Sequence, residues 1–130
     1  MKKSPILVFE SSAFAPLPGE DEATNAGVFG KALAQWLADR IRLAGVAVGE
    51  VIAEDFGWVI PVDCDPYSLN VACSSGETPN AWTVFAFAEG GIISRLLGTD
   101  KSSDALESLY FSVRRFLEEE SSLHGLREQA

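Results

Sequence analysis

The sequence is short of the residue types from which most catalytic sites are built. A single histidine, His124, stands near the end of the 130 residues. Ser-His-Asp and Cys-His mechanisms need a base fixed by a third group, and this one sits in a stretch that reads as a solvated tail. Two cysteines, Cys64 and Cys73, are too few for a disulfide framework and, with one histidine, supply a zinc site poorly. Bases are scarce as well: ten against nineteen acids give a formal net charge of −9. That balance argues against nucleic acid or an anionic membrane as partner. No apolar run approaches the roughly 20 residues that span a bilayer. Ile6 to Phe9 follow Lys2 and Lys3 but stop at Glu10, too short for an export signal, so a cytoplasmic location is expected. Repeats and low-complexity tracts are absent.

What is present describes one globular domain: 47% hydrophobic, 22% charged and 10% aromatic residues, in a length that supports one core. Residues 4–10 read as a first strand. A long loop over 11–24 carries Pro16, Pro18, Gly19 and the acidic run Glu20-Asp21-Glu22. Loops of that length are often functional, although acids before a helix also complement its dipole. A helix is expected from a cap at Thr24 or Asn25, through Val28, Phe29, Leu33, Trp36, Leu37 and Ile41, to Gly45 as the left-handed terminating residue.

Four strands are expected next, near 46–52, 57–63, 67–74 and 81–89. A turn over Asp63-Cys64-Asp65-Pro66 would set Val62 opposite Tyr67, Ile60 opposite Leu69 and Trp58 opposite Val71, all on a core face. Cys73, opposite Phe56, would then lie far from Cys64. Pro61 suggests an edge or bulged strand. With Ser74 opposite Ala81, the residues Trp82, Val84, Ala86 and Ala88 join the core face, and Phe85 and Phe87 fall on the other face beside Asn70 and Ser68. A one-residue slip would exchange the two sets. After Gly90-Gly91, the residues Ile92, Ile93, Leu96 and Leu97 suggest a short helical turn. A last helix from Ser102 or Ser103 buries Leu106, Leu109, Tyr110, Val113, Phe116 and Leu117. The expected fold is α+β: about five antiparallel or mixed strands with two helices on one face, in the order β-α-β-β-β-β-α.

The remaining chemistry is thin. Gly27-Val28-Phe29-Gly30-Lys31 holds a fragment of a phosphate loop, but the spacing is short and Ala32 stands where Ser or Thr is needed. Cys73 reads as a small buried hydrophobe, and Cys64 between two aspartates as an unreactive thiol. Asp63 and Asp65 do not follow calcium-loop spacing. No catalytic residue, metal or cofactor is expected.

Glu54-Asp55-Phe56-Gly57-Trp58, with Pro18-Gly19-Glu20, Asn25, Gly30, Trp36-Leu37 and Gly45, resembles a group of small bacterial proteins of unassigned function. The resemblance covers roughly residues 18–62, and Phe56 stands where those proteins more often have tryptophan. It implies a stand-alone bacterial domain and carries no catalytic residue.

Two kinds of function follow as expectations. The first is a non-enzymatic acidic protein, inhibitor- or immunity-like, steered by charge to a basic protein partner. Its contact surface would be an open sheet face carrying Val59, Asn70, Phe85 and Phe87 beside acidic loops. The same face could instead stack on a second copy as a homodimer. The second kind is a small-molecule binder or enzyme. Its pocket would lie between the sheet and the 11–24 loop, lined by Trp36, Trp58 and Trp82, with Glu20, Glu54 or Asp55 as its polar group.

Overall fold

The computed structural model describes residues 2–88 and 102–129. Its strands are β1 (Lys2–Lys3), β2 (Leu7–Glu10), β3 (Ala47–Val48), β4 (Ile52–Glu54), β5 (Gly57–Cys64), β6 (Tyr67–Ser75), β7 (Ala81–Ala88) and β8 (His124–Glu128); its helices are α1 (Lys31–Leu43) and α2 (Ser102–Glu119). All strand pairs are antiparallel, in the order β3-β5-β6-β7-β2-β8, with β4 also on β5 and β1 also on β7.

The α+β class and two helices over an antiparallel sheet agree with the sequence reading; the five-strand count and the chain order do not. Among the described residues there are eight strands, and the last lies in the segment read as a solvated tail. The expected turn over Ile92 to Leu97 lies outside the described residues, as does the expected strand's last residue, Glu89.

One core joins the helices to the sheet. Leu33, Leu37 and Ile41 from α1, and Leu106, Leu109, Val113 and Leu117 from α2, meet Leu7, Phe9, Ile60, Val62, Leu69, Val71 and Val84. Both helices therefore cover the same sheet face, as the apolar stripes require.

The β5–β6 hairpin is tighter than expected. Cys64 pairs with Tyr67, so Val62 faces Leu69, Ile60 faces Val71 and Trp58 faces Cys73. Each partner is two residues along from the expected one, which preserves the inward set because strand periodicity is two. The same holds in the next hairpin, where Ser74 faces Thr83 and Phe85 and Phe87 stand beside Ala72 and Asn70.

Pro61 lies in an inner strand, not an edge. Its carbonyl accepts from Gly49 N–H at 2.9 Å, which directs this residue toward the outer neighbour at the gap between β3 and β4. The donor that proline lacks faces the same outer side, where the partner's register shifts by one residue between Val48–Val62 and Ile52–Val59 and the ladder is interrupted.

Candidate binding surface at the acidic end

The helix expected from Thr24 or Asn25 begins instead at Lys31, with Gly30 at φ 147° before it. The residues ahead of it form a strapped loop. Glu20 is only 7% exposed. Its Oε2 accepts from Gly30 N–H at 2.8 Å and Lys31 N–H at 3.0 Å, and its Oε1 accepts from Leu17 N–H at 3.2 Å. A buried carboxylate thus caps the positive end of α1. Asp21 Oδ2 accepts from Gly27 N–H at 2.9 Å, and Thr24 Oγ1 donates to the Val28 carbonyl at 2.6 Å.

This loop is fastened to two sheet turns. Asn25 N–H donates to the Asp55 carbonyl at 3.2 Å, and Ser75 N–H to the Phe29 carbonyl at 2.8 Å, while Phe29 N–H donates to Ser75 Oγ at 3.0 Å. Two glycines make the approach close. A Cβ on Gly30 would meet the Cys73 carbonyl oxygen at 2.7 Å, and one on Gly57 would meet the same oxygen at 2.5 Å. Some of the residues that carry the sequence resemblance, Glu20, Asn25, Gly30 and Glu54 through Trp58, are gathered at this end, whereas Trp36 and Leu37 lie within α1 and Gly45 beyond its last residue.

The surface so built is acidic and partly apolar. Segments 17–31, 53–58 and 75–80 hold the carboxylates of Glu20, Asp21, Glu22, Glu54, Asp55 and Glu77, against one amine, Lys31. The Lys31 Nζ lies over the Trp58 ring, 5.2 Å from its centroid. Glu22, Glu54, Asp55 and Glu77 are exposed. Leu17 and Phe56, at 51% and 49% exposure, stand among them. Sequence reasoning passed over Leu17 and took Phe56 only as part of a motif and as the residue opposite Cys73, not as a contact residue; an aromatic in a tight turn between acids and a glycine was the available signal.

The residues proposed from sequence separate into two groups. Glu54 and Asp55 belong to this acidic end. Glu20 does too, but its carboxylate is engaged by the backbone. Val59, Asn70, Phe85 and Phe87 lie on the sheet face away from the helices, where Val59, Ala72 and Phe87 form a small second cluster with Phe85 against it. That face is not bare as expected: Val59 and Phe87 are buried at 5% and 6% exposure. Phe85 and Asn70 are half-buried. Phe85 packs against the Phe87 ring, and Lys3 Nζ sits 5.2 Å from its centroid.

Between the 11–24 loop and the sheet stands Phe14, another residue the sequence reading did not single out. It is 5% exposed and packs on Trp36 and Trp82, with centroids at 5.5 and 6.3 Å. Trp82 Nε1 donates to the Ser11 carbonyl at 2.9 Å, whereas the buried Trp58 Nε1 has no hydrogen-bond partner.

A cleft of about 530 Å³ lies elsewhere, among β1, α2 and β8, with Lys2, Ser103, Leu106, Tyr110, Phe111 and Glu128 in its wall. Tyr110 donates to Glu128 Oε1, and Arg114 reaches both, at 3.2 Å to the phenol oxygen and 3.0 Å to the carboxylate. Burial, then the hydrogen bond to Glu128, pushes the Tyr110 hydroxyl up, so the phenol stays protonated.

Cys64 is half-buried and Cys73 buried, both as free thiols. Burial and the neighbouring Asp63 raise the Cys64 thiol, which opposes thiolate chemistry. Among the described residues no group of three or more His, Cys, Asp or Glu could hold a metal ion, and no helix is long and apolar enough to cross a membrane. Comparison with protein-family models, curated proteins and solved structures finds no match to this chain.

Proposed function

We propose that this chain is a non-enzymatic interaction protein that binds a basic protein partner through its acidic end. The observation that carries the reading is Phe56. It is a large apolar side chain, 49% exposed, on a turn whose backbone is fixed by Gly57 against the Cys73 carbonyl and by the Asn25–Asp55 bond. Ordering such a side chain on binding costs little, because its backbone is already held. An aromatic anchor ringed by charge is the usual composition of an interface centre with a polar rim. The surrounding carboxylates would steer a basic partner and set its orientation.

Native mass spectrometry of the tagged chain, gently purified from its source cells, tests this. The expected result is a stoichiometric basic protein that survives Phe85→Ser and is lost with Phe56→Ser or Asp55→Lys. A chain that emerges bare, or a partner retained by both acidic-end variants, overturns the reading.

A second reading is favoured by the 530 Å³ cleft, whose size and mixture of aromatic wall and polar ends suit a small molecule. A small bound mass in the same spectrum, lost on Phe111→Ala, would move the assignment there.

A further inference from the structure

β8 covers the outer edge of β2 with little holding it. Four of its five residues are exposed, and Leu126 alone is half-buried. Its ladder to β2 is irregular between Val8 and Glu10, and Arg127 reaches Glu10 only through an exposed ion pair at 3.4 Å. Such pairs contribute little. Among the described residues the other side-chain attachments of β8 are Leu126, half-buried against the main core, and Glu128, which Tyr110 and Arg114 hold from α2. β2 beneath is the opposite case, with Leu7 and Phe9 at 0% and 1% exposure.

We propose that β8 is a strap that opens independently of the rest of the sheet, with Tyr110–Glu128–Arg114 as its latch. Opening would uncover the free edge of β2 and remove the Glu128 wall of the 530 Å³ cleft in one movement. Elements with few buried apolar contacts occupy the low-stability end of a fold and open sub-globally. An uncovered edge is in turn a template for an added strand.

The strand geometry supplies an internal control. Gln129 N–H donates to the Ile6 carbonyl and Ser11 N–H to the Asn80 carbonyl. Even-numbered residues of β2 therefore direct their backbone groups toward β8, and odd-numbered ones toward β7. Amide hydrogen exchange of the full chain, read residue by residue by NMR, tests the strap. The amides of Val8, Glu10 and β8 should exchange about a hundredfold faster than those of Leu7 and Phe9. Glu128→Ala should speed the first set further and leave Leu7, Phe9 and the β6–β7 amides unchanged. The strap is overturned if Val8 and Glu10 exchange at the rate of Leu7 and Phe9. It is equally overturned if Glu128→Ala accelerates both sets by the same factor, because that describes one cooperative unit.

Discussion

Glu20 sets its Oε2 2.8 Å from the amide nitrogen of Gly30, ten residues along the chain. One side chain thereby starts α1, closes the loop and fixes the acidic end. Glu20→Ala leaves the Gly30 and Lys31 amides buried or half-buried without that acceptor, so it should cost about 2 kcal/mol. Glu20→Gln keeps an acceptor but loses the charge at the helix dipole, and should cost about 1 kcal/mol. The exposed neighbour change Glu22→Ala should stay within about 0.5 kcal/mol. Urea denaturation of the three variants checks the order; equal losses at positions 20 and 22 would remove the capping role.

The glycines separate backbone conformation from close approach. Gly27 has φ 81° with nothing within 4 Å of an added Cβ, whereas Gly30 and Gly57 combine φ of 147° and 154° with the Cys73 carbonyl at 2.7 and 2.5 Å. Gly27→Ala should cost about 1 kcal/mol for conformation alone. Gly30→Ala and Gly57→Ala should each lose about 3 kcal/mol or more, since strain and overlap act together. Denaturation midpoints within a few tenths molar of one another for all three would contradict the packing described.

How far the sequence could be read follows the range of the interactions. Facing survived in both central hairpins because a two-residue shift leaves every side chain on its face. The end of α1 was legible for a local reason: Gly45 has φ 90°, beyond a last helical residue at Leu43. Its start was not, because Val28 and Phe29 match the helical spacing while the cap that overrides it sits at Glu20. β8 was hidden for a different reason. An exposed edge strand with only Leu126 half-buried has no alternating apolar pattern to read. At the candidate site, Glu54 and Asp55 were visible as turn acids, but the exposure of Phe56 depends on what the rest of the chain leaves uncovered.

Phe85 and Phe87 point to the same face, yet they should not respond alike. Phe87 is buried at 6% exposure among Val59 and Ala72, so Phe87→Ala should cost about 3 kcal/mol. Phe85 is half-buried beside Lys3, and Phe85→Ala should cost about half as much. Urea unfolding ranks them. A larger loss at Phe85 would mean that this ring, not Phe87, anchors the second cluster.

Cys73 gives the fold a dependence on alkaline pH. Complete burial raises its thiol far above the ordinary value, so the folded chain keeps this proton where the unfolded chain gives it up. The unfolded thiol ionises near pH 8.5, and above that point unfolding releases a proton. Stability from this group is thus whole below about pH 8.5 and falls as pH rises, at up to about 1.4 kcal/mol per pH unit. Cys64 is shifted in the same direction by burial and Asp63, but its half-buried position gives it a smaller share. Urea denaturation between pH 7.5 and 9.5, with reductant present, should show a downward slope that Cys73→Ala flattens and Cys64→Ser leaves mostly intact. An unchanged slope in Cys73→Ala would mean that other groups govern the alkaline limb.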